Sequence, residues 1–176
     1  KETERLHHLA HYDQLTKVPN RYLLLDRVEH LIAQSERNKN TFALLYIDLD
    51  HFKSINDTRG HAFGDQVLIE TASRLKQAVR NSDTIARIGG DEFVILLENT
   101  SDEKDVSAMV KALTRELNRP FTFNGVNLEI SCSIGVALYP DEGTSTDTLL
   151  AVADKAMYRA KHESRANHRQ HFIGES

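Results

Sequence analysis

The chain alternates between two hydrophobic rhythms, one of helical period and one of strand length, and their order sets the expected architecture. After a segment at 1–12 with Leu6 and Leu9 among charges and histidines, Pro19-Asn20 punctuates the chain. Asn20 suits a helix N-cap, and Leu24, Val28, Leu31 and Ile32 then share one face, predicting a helix to about Asn38. Residues 42–47 form a near-continuous apolar run of strand length, the pattern of a central strand covered on both faces, and it ends in Asp48-Leu49-Asp50. The polar stretch 51–60 is expected as a loop. Leu68, Ala72, Leu75 and Val79 mark a helix over about 62–79, and Val106, Met109, Val110, Leu113 and Leu117 mark another ahead of Pro120.

Two strand pairs carry tight-turn signals. Gly89-Gly90 interrupts an apolar run, and glycine enters φ > 0 without steric cost, so a hairpin tip is expected there with Asp91 and Glu92 beside it. Asn124-Gly125 favours a type I′ turn, with a long return strand over 128–139 and Gly135 as a candidate bulge. A last helix, over about 146–162, turns Leu149, Ala153, Ala156 and Ala160 inward. Lys161 and Arg165 share a face if it continues that far. Hairpins demand antiparallel pairing, so a purely parallel doubly wound sheet is excluded. The order fits an α+β fold of ferredoxin-like type, a mostly antiparallel central sheet of about five strands flanked by helices.

Composition narrows the function classes. A length of 176 residues suits one domain, and the net charge of -4 argues against a general nucleic-acid binder while leaving room for a local basic pocket for phosphates. The single cysteine, Cys132, cannot form an internal disulfide, which fits a reducing, cytoplasmic setting. No apolar stretch reaches the roughly 18 residues of a membrane helix. The chain begins at Lys1 rather than Met, as expected for a piece of a longer protein whose sensory or membrane parts lie elsewhere.

The candidate chemistry is acidic. Asp48 ends a buried strand, where a carboxylate is costly unless paired or metal-bound. If the first hairpin pairs beside that strand, Asp48, Asp91 and Glu92 converge at one sheet edge, a hard-oxygen set suited to Mg²⁺. Two such ions can clamp an in-line phosphoryl displacement. The alternative for each acid alone is a surface charge. Lys53, Lys161 and Arg165 are candidate triphosphate contacts or ordinary solvated cations. Asn56 and Asp65 have the donor and acceptor chemistry to read a purine, or else serve as loop and helix-start residues.

Several ordered motifs resemble one family. Gly89-Gly90-Asp91-Glu92-Phe93 is the namesake signature of the GGDEF domains, the bacterial diguanylate cyclases. Asp13-Gln14-Leu15-Thr16-Lys17-Val18-Pro19-Asn20-Arg21 resembles the family's opening motif, with Val18 in place of leucine. Asp48-Leu49-Asp50-His51-Phe52-Lys53-Ser54-Ile55-Asn56-Asp57, followed by Gly60-His61 and Gly64-Asp65, is similar to its nucleotide segment. Ser133 to Ala137 and Ala153 to Lys161 resemble its closing segments. The usual final K-x-x-G-R-N appears here as Lys161-His162-Glu163-Ser164-Arg165-Ala166, a departure in two positions.

The resemblance implies a nucleotide-cyclase palm over 13–170, preceded at 1–12 by the end of an upstream signalling helix and followed by a tail at 171–176. It implies condensation of two GTP into cyclic di-GMP and two pyrophosphates across a homodimer. Mg²⁺ or Mn²⁺, two ions per half-site, would sit on Asp48, the Leu49 carbonyl and Asp91, with Glu92 as a further acid; Asp91 would accept the hydroxyl proton, unless metal activation of that hydroxyl makes a discrete base unnecessary. Asn56, His61 and Asp65 would hold GTP, while Phe52, Lys53, Lys161 and Arg165 would surround its phosphates. Arg80-Asn81-Ser82-Asp83 matches the family's inhibitory R-x-x-D, a product site, the alternative being a helix C-terminal arginine and a turn aspartate. An upstream sensory domain and, in one architecture, a downstream EAL domain are the implied neighbours. The other readings are a catalytically silent GGDEF domain that binds GTP or cyclic di-GMP and regulates an attached module, and a cyclase-fold polymerase or adenylyl cyclase, which Asn56 and Asp65 as guanine readers disfavour.

Overall fold

A computed structural model describes residues 2–100 and 102–174, with side chains as far as Glu163. The elements run α1 (Glu2–His11), α2 (Arg21–Asn38), β1 (Phe42–Leu49), α3 (Phe52–Arg59), α4 (His61–Ala78), β2 (Thr84–Gly89), β3 (Glu92–Leu97), α5 (Glu103–Asn118), β4 (Phe121–Phe123), β5 (Val126–Leu128), β6 (Cys132–Tyr139) and α6 (Thr146–Gly174). Asn20 caps α2, its side chain accepting from the Leu23 amide at 3.1 Å.

β1 is central because both its faces are buried. In the sheet order β2-β3-β1-β6 it pairs antiparallel with β3 and with β6. Ala43, Leu45 and Ile47 enter a core with α4 and α5 residues such as Leu68, Leu75 and Leu113. Leu44 and Tyr46 face the other way, onto Leu24 and Val28 of α2 and Ala153 and Met157 of α6. This two-sided burial explains why the strand reads as a continuous apolar run.

Four expectations change. The principal sheet has four strands, because β4 and β5 form a separate two-stranded sheet. Its turn has φ 50 at Asn124 and φ 78 at Gly125, both positive as a type I′ turn requires. The long return strand is broken: β5 ends at Leu128 and β6 begins at Cys132. Gly135 is no bulge but pairs in register with Tyr46. It is glycine because α6 lies directly on it, and an added Cβ would stand 2.0 Å from the Ala153 carbonyl oxygen and 2.2 Å from the Met157 nitrogen. The bulge falls instead between Arg87 and Gly89. Finally, 51–60 is largely helical: buried Phe52 and half-buried Ile55, three residues apart, give α3 a short apolar stripe that its polar density conceals. Gly60, at φ 90 and ψ 161, breaks α3 from α4 in a backbone conformation that side chains resist. Among the described residues no helix is long and apolar enough to cross a membrane.

Candidate active site

The sheet brings the acids together. In the β1–β3 register Asp48 lies opposite Glu92, and the Leu49 amide donates to the Asp91 carbonyl at 3.3 Å. The end of the buried strand therefore meets the tip of the β2–β3 hairpin. Asp48 Oδ2 accepts from Lys161 Nζ at 2.8 Å, while Asp48 Oδ1 is buried with no partner among the described residues. Burial, then the hydrogen bond with Asp48 and the charge of Asp48, push the Asp91 carboxyl up to about 7. Neighbouring Asp50 is the contrast: its oxygens accept from Ser131 Oγ at 2.7 Å and Ser133 Oγ at 2.9 Å, so it is satisfied within the fold.

A partnerless buried carboxylate oxygen beside a second carboxylate has the chemistry that a hard cation would complete. Two carboxylates and a nearby backbone carbonyl match the small protein ligand sets of Mg²⁺, which leaves its other positions to water and phosphate. Glu92 is not brought into that set. Its Oε2 accepts from the Tyr46 hydroxyl at 2.5 Å, and among the described residues no three His, Cys, Asp or Glu side chains form a metal-holding group. The Tyr46 phenol is pushed well up by burial, by its hydrogen bond to Glu92 and by the charges of Glu92 and Asp154.

The hairpin turns at Gly90-Asp91, and its glycines leave the tip uncrowded. Neither Gly89 nor Gly90 has a positive φ, contrary to the expectation for a tight glycine turn. A Cβ on Gly90 would meet nothing within 4 Å, and one on Gly89 would meet only Glu92. The tip is thus open to close approach by a ligand.

An open cleft of about 500 Å³ adjoins the acids, lined by Leu49, His51, Phe52, Lys53, Ser54, Asp57, Asp91 and Lys161. Four of the expected phosphate- and metal-side residues therefore share one surface with Leu49. Asn56 is not part of that lining, and its Oδ1 is buried and without a partner among the described residues. A Cβ at residue 64 would fall 1.8 Å from that oxygen, so Gly64 is what admits the Asn56 side chain. His61 and Asp65 are exposed on one face of the start of α4, outside the lining of the cleft. The Arg165 side chain lies outside the described residues.

Arg80 and Asp83 stand at the opposite end of β2 from the tip. Arg80 donates through Nε to Asp83 Oδ2 at 3.2 Å, and through one terminal nitrogen to Asp83 Oδ1 at 3.1 Å and the Glu98 carbonyl at 2.7 Å. The Asp83 side chain is fully buried, whereas that of Arg80 is 52% exposed and able to meet a ligand.

Two functional-looking contacts escaped sequence reasoning. Arg87 makes two hydrogen bonds to the Asp13 carboxylate, at 2.9 and 3.1 Å, and two more to the Gly90 carbonyl, at 3.0 and 2.9 Å. Burial alone would raise the Asp13 carboxyl, but hydrogen bonds from Thr16 and the Arg87 charge outweigh it and hold it below the usual range. The segment following α1 is thereby tied to the hairpin tip. Tyr46 is the second. The only sequence signal for either was membership in a motif or in a strand, because each contact is made across the fold.

An antiparallel α+β palm with an acid pair where its central strand meets a hairpin tip belongs to the nucleotide-cyclase class. More narrowly, the chain belongs to the GGDEF family, whose model, described as "Diguanylate cyclase, GGDEF domain", matches residues 10–167. It is 46% identical over 157 residues to the bifunctional diguanylate cyclase/cyclic di-GMP phosphodiesterase MucR of Pseudomonas aeruginosa, covering 89% of this chain and 23% of that protein. It is 38% identical over 169 residues to the diguanylate cyclase TpbB of the same species, covering 96% of this chain and 39% of that protein. The chain thus spans less than half the length of either relative. Among solved structures, a sensory box/GGDEF family protein from Caulobacter crescentus CB15 superposes with a TM-score of 0.82 at 42% identity, covering 87% of this chain and 99% of that one.

Proposed function

We propose that this domain is a diguanylate cyclase, condensing two GTP into cyclic di-GMP with release of two pyrophosphates across a homodimer. The observation that supports it most is the unsatisfied Asp48 Oδ1 beside Asp91, at the rim of a cleft that also carries Lys53 and Lys161. Asp48, Asp91 and the Leu49 carbonyl would hold Mg²⁺ or Mn²⁺, which when bound supplies Lewis-acid stabilisation of the phosphoryl oxygens. Lys53 and Lys161 neutralise the triphosphate, and Phe52 walls the cleft. Asn56, with Asp65 and His61, binds the nucleoside end, the buried Asn56 oxygen finding a guanine N–H donor it lacks among the described residues.

In each half-reaction the 3′-oxygen of one GTP attacks the α-phosphorus of the other. A phosphodiester bond forms, the bond to pyrophosphate breaks, and the hydroxyl proton passes to the Asp91 carboxylate. Two such steps close the ring, so two copies must face each other with two-fold symmetry, and their alignment is the proximity term that an upstream domain can control. Arg80 and Asp83 would take the product as an inhibitory site, Arg80 meeting a phosphate or a guanine edge.

The test uses the domain fused to a dimerising coiled coil, freed of bound nucleotide, and given GTP and Mg²⁺. Cyclic di-GMP is expected with two pyrophosphates per product. Absence of product while GTP still binds overturns the enzyme reading and leaves a silent nucleotide-binding domain. In the same assay Arg80→Ala is expected to raise the product concentration for half-inhibition about tenfold, and an unchanged curve removes the inhibitory role.

A further inference from the structure

We propose that Tyr46 is a positioning residue that holds Glu92 out of the cation site and fixes that site at two carboxylates. The inference rests on the cyclase reading of Asp48 and Asp91, and it gives Glu92 a different part from the metal ligand that its place in the signature suggests.

The geometry begins with register. Glu92 lies directly opposite Asp48 on neighbouring antiparallel strands, and such pairs place their Cβ atoms about 5 Å apart on one face. A glutamate there has the reach to join the Asp48–Asp91 pair, and like charges facing each other repel. Something must therefore hold Glu92, and the Tyr46 hydroxyl, donating to Oε2 at 2.5 Å, is its side-chain partner among the described residues. Tyr46 sits two residues before Asp48 on β1, so its ring rises from the same face.

The ring is a rigid handle. It is buried, packed in the cluster formed with α2 and α6, and its strand neighbours are Val94 and Gly135. Gly135 offers no side chain beside it, and the α6 backbone over Gly135 leaves no space for one. An aromatic side chain has few torsions to lose, so the hydroxyl is presented from a fixed point. On the other side, the Gly89 position lies alongside Glu92: a Cβ there would stand 3.6 Å from Oε2. Glu92 is thus held between a phenol and a bare glycine.

The chemical consequence concerns what the cation needs. With two carboxylates, most coordination positions remain for water and for nucleotide phosphate, and affinity without nucleotide stays low. A third carboxylate would occupy a position, raise the affinity for the bare ion and add a negative charge against the incoming triphosphate. The Tyr46–Glu92 hydrogen bond makes capture of the ion depend on the nucleotide.

The test is Mn²⁺ titration followed by the electron paramagnetic resonance signal of free Mn²⁺, with and without a GTP analogue bearing a methylene α,β-bridge. It uses the wild type, Tyr46→Phe, Glu92→Gln and the double variant. Tyr46→Phe keeps the ring and removes only the hydroxyl. It is expected to tighten nucleotide-free Mn²⁺ binding about tenfold, the low end of the effect of a partner that orients a ligand. Glu92→Gln alone should leave that affinity unchanged, and adding Tyr46→Phe to it should change nothing, because Tyr46 acts through the carboxylate. Unchanged or weaker binding in Tyr46→Phe, an equal shift in the Glu92→Gln background, or weaker binding in Glu92→Gln alone each overturns the inference. Absence of Mn²⁺ binding in all four proteins even with the analogue overturns the cation site itself, and with it the cyclase reading.

Discussion

Two buried clusters of charge in this domain differ in one respect, whether their polar atoms are satisfied. Arg74, on α4 and only 5% exposed, donates to the Glu116, Leu117, Arg119 and Pro120 carbonyls at 2.5–3.5 Å and to Glu70 Oε1 at 3.2 Å. Its guanidinium also lies 3.8 Å from the centre of the Phe121 ring. The last carbonyls of a helix have no intrahelical partners, and two of those of α5, Glu116 and Leu117, together with the Arg119 and Pro120 carbonyls just beyond it, accept from one side chain of α4. The Asp48–Asp91–Lys161 cluster is the opposite case, leaving Asp48 Oδ1 with no donor among the described residues and two carboxylates in contact. Saturation marks Arg74 as a fastener between elements. Incompleteness at the acid edge is what supports the cation and nucleotide site proposed there.

The contrast breaks most decisively at Asp91. Asp91→Asn removes a negative charge that faces Asp48, so the domain should keep its thermal midpoint while losing about 10³-fold in cyclic di-GMP formation, several kcal/mol of transition-state stabilisation. A parallel loss of folding, seen as a lowered unfolding midpoint, would make the acid edge structural and erase the distinction. Arg74→Met tests the other pole. It takes the donor from the Glu116, Leu117, Arg119 and Pro120 carbonyls and is expected to cost about 3 kcal/mol of stability, lowering the unfolding midpoint by roughly 10 °C. Nucleotide affinity, measured by calorimetry, should stay within about twofold, since Arg74 lies outside the lining of the cleft and bonds to none of its residues.

How much of this was visible in the chain follows from the range of each interaction. The central strand was legible because both its faces are apolar, and the acid edge because Asp48 closes that strand and Asp91 sits at a glycine-marked tip. The α2 cap at Asn20 and the Asn124-Gly125 turn were legible for the same reason, as local chemistry. What stayed hidden depends on packing partners far away in sequence. Gly135 resembles a bulge until α6 is laid on it, and α3 resembles a loop until Phe52 has a core to enter. Arg74 reads as one more helical cation, yet it spans to carbonyls more than forty residues on. Tyr46 reads as a core aromatic, because nothing local shows that its hydroxyl meets Glu92.

The Asp13–Arg87 pair lies between the two poles and gives the smallest expected effect. Like Arg74 it is saturated, with Thr16 and Arg87 on Asp13 and the Gly90 carbonyl on Arg87, yet it ends at the hairpin that carries Asp91. The folded-state carboxyl of Asp13 lies below its ordinary value of 3.8. Its contribution is therefore complete above that value and is lost as pH falls through the lower, folded-state one. Asp13→Asn should cost about 1.5 kcal/mol at pH 7, the loss of charge-assisted hydrogen bonds at a partly exposed site. Denaturant unfolding at stepped pH should show the gap from wild type closing below about pH 4, where Asp13 begins to protonate. A gap that persists undiminished at pH 3 would assign the stability to shape rather than charge. If cyclase activity falls further than the folded fraction does, the pair belongs with the acid edge, as the link through which the segment after α1 positions Gly90.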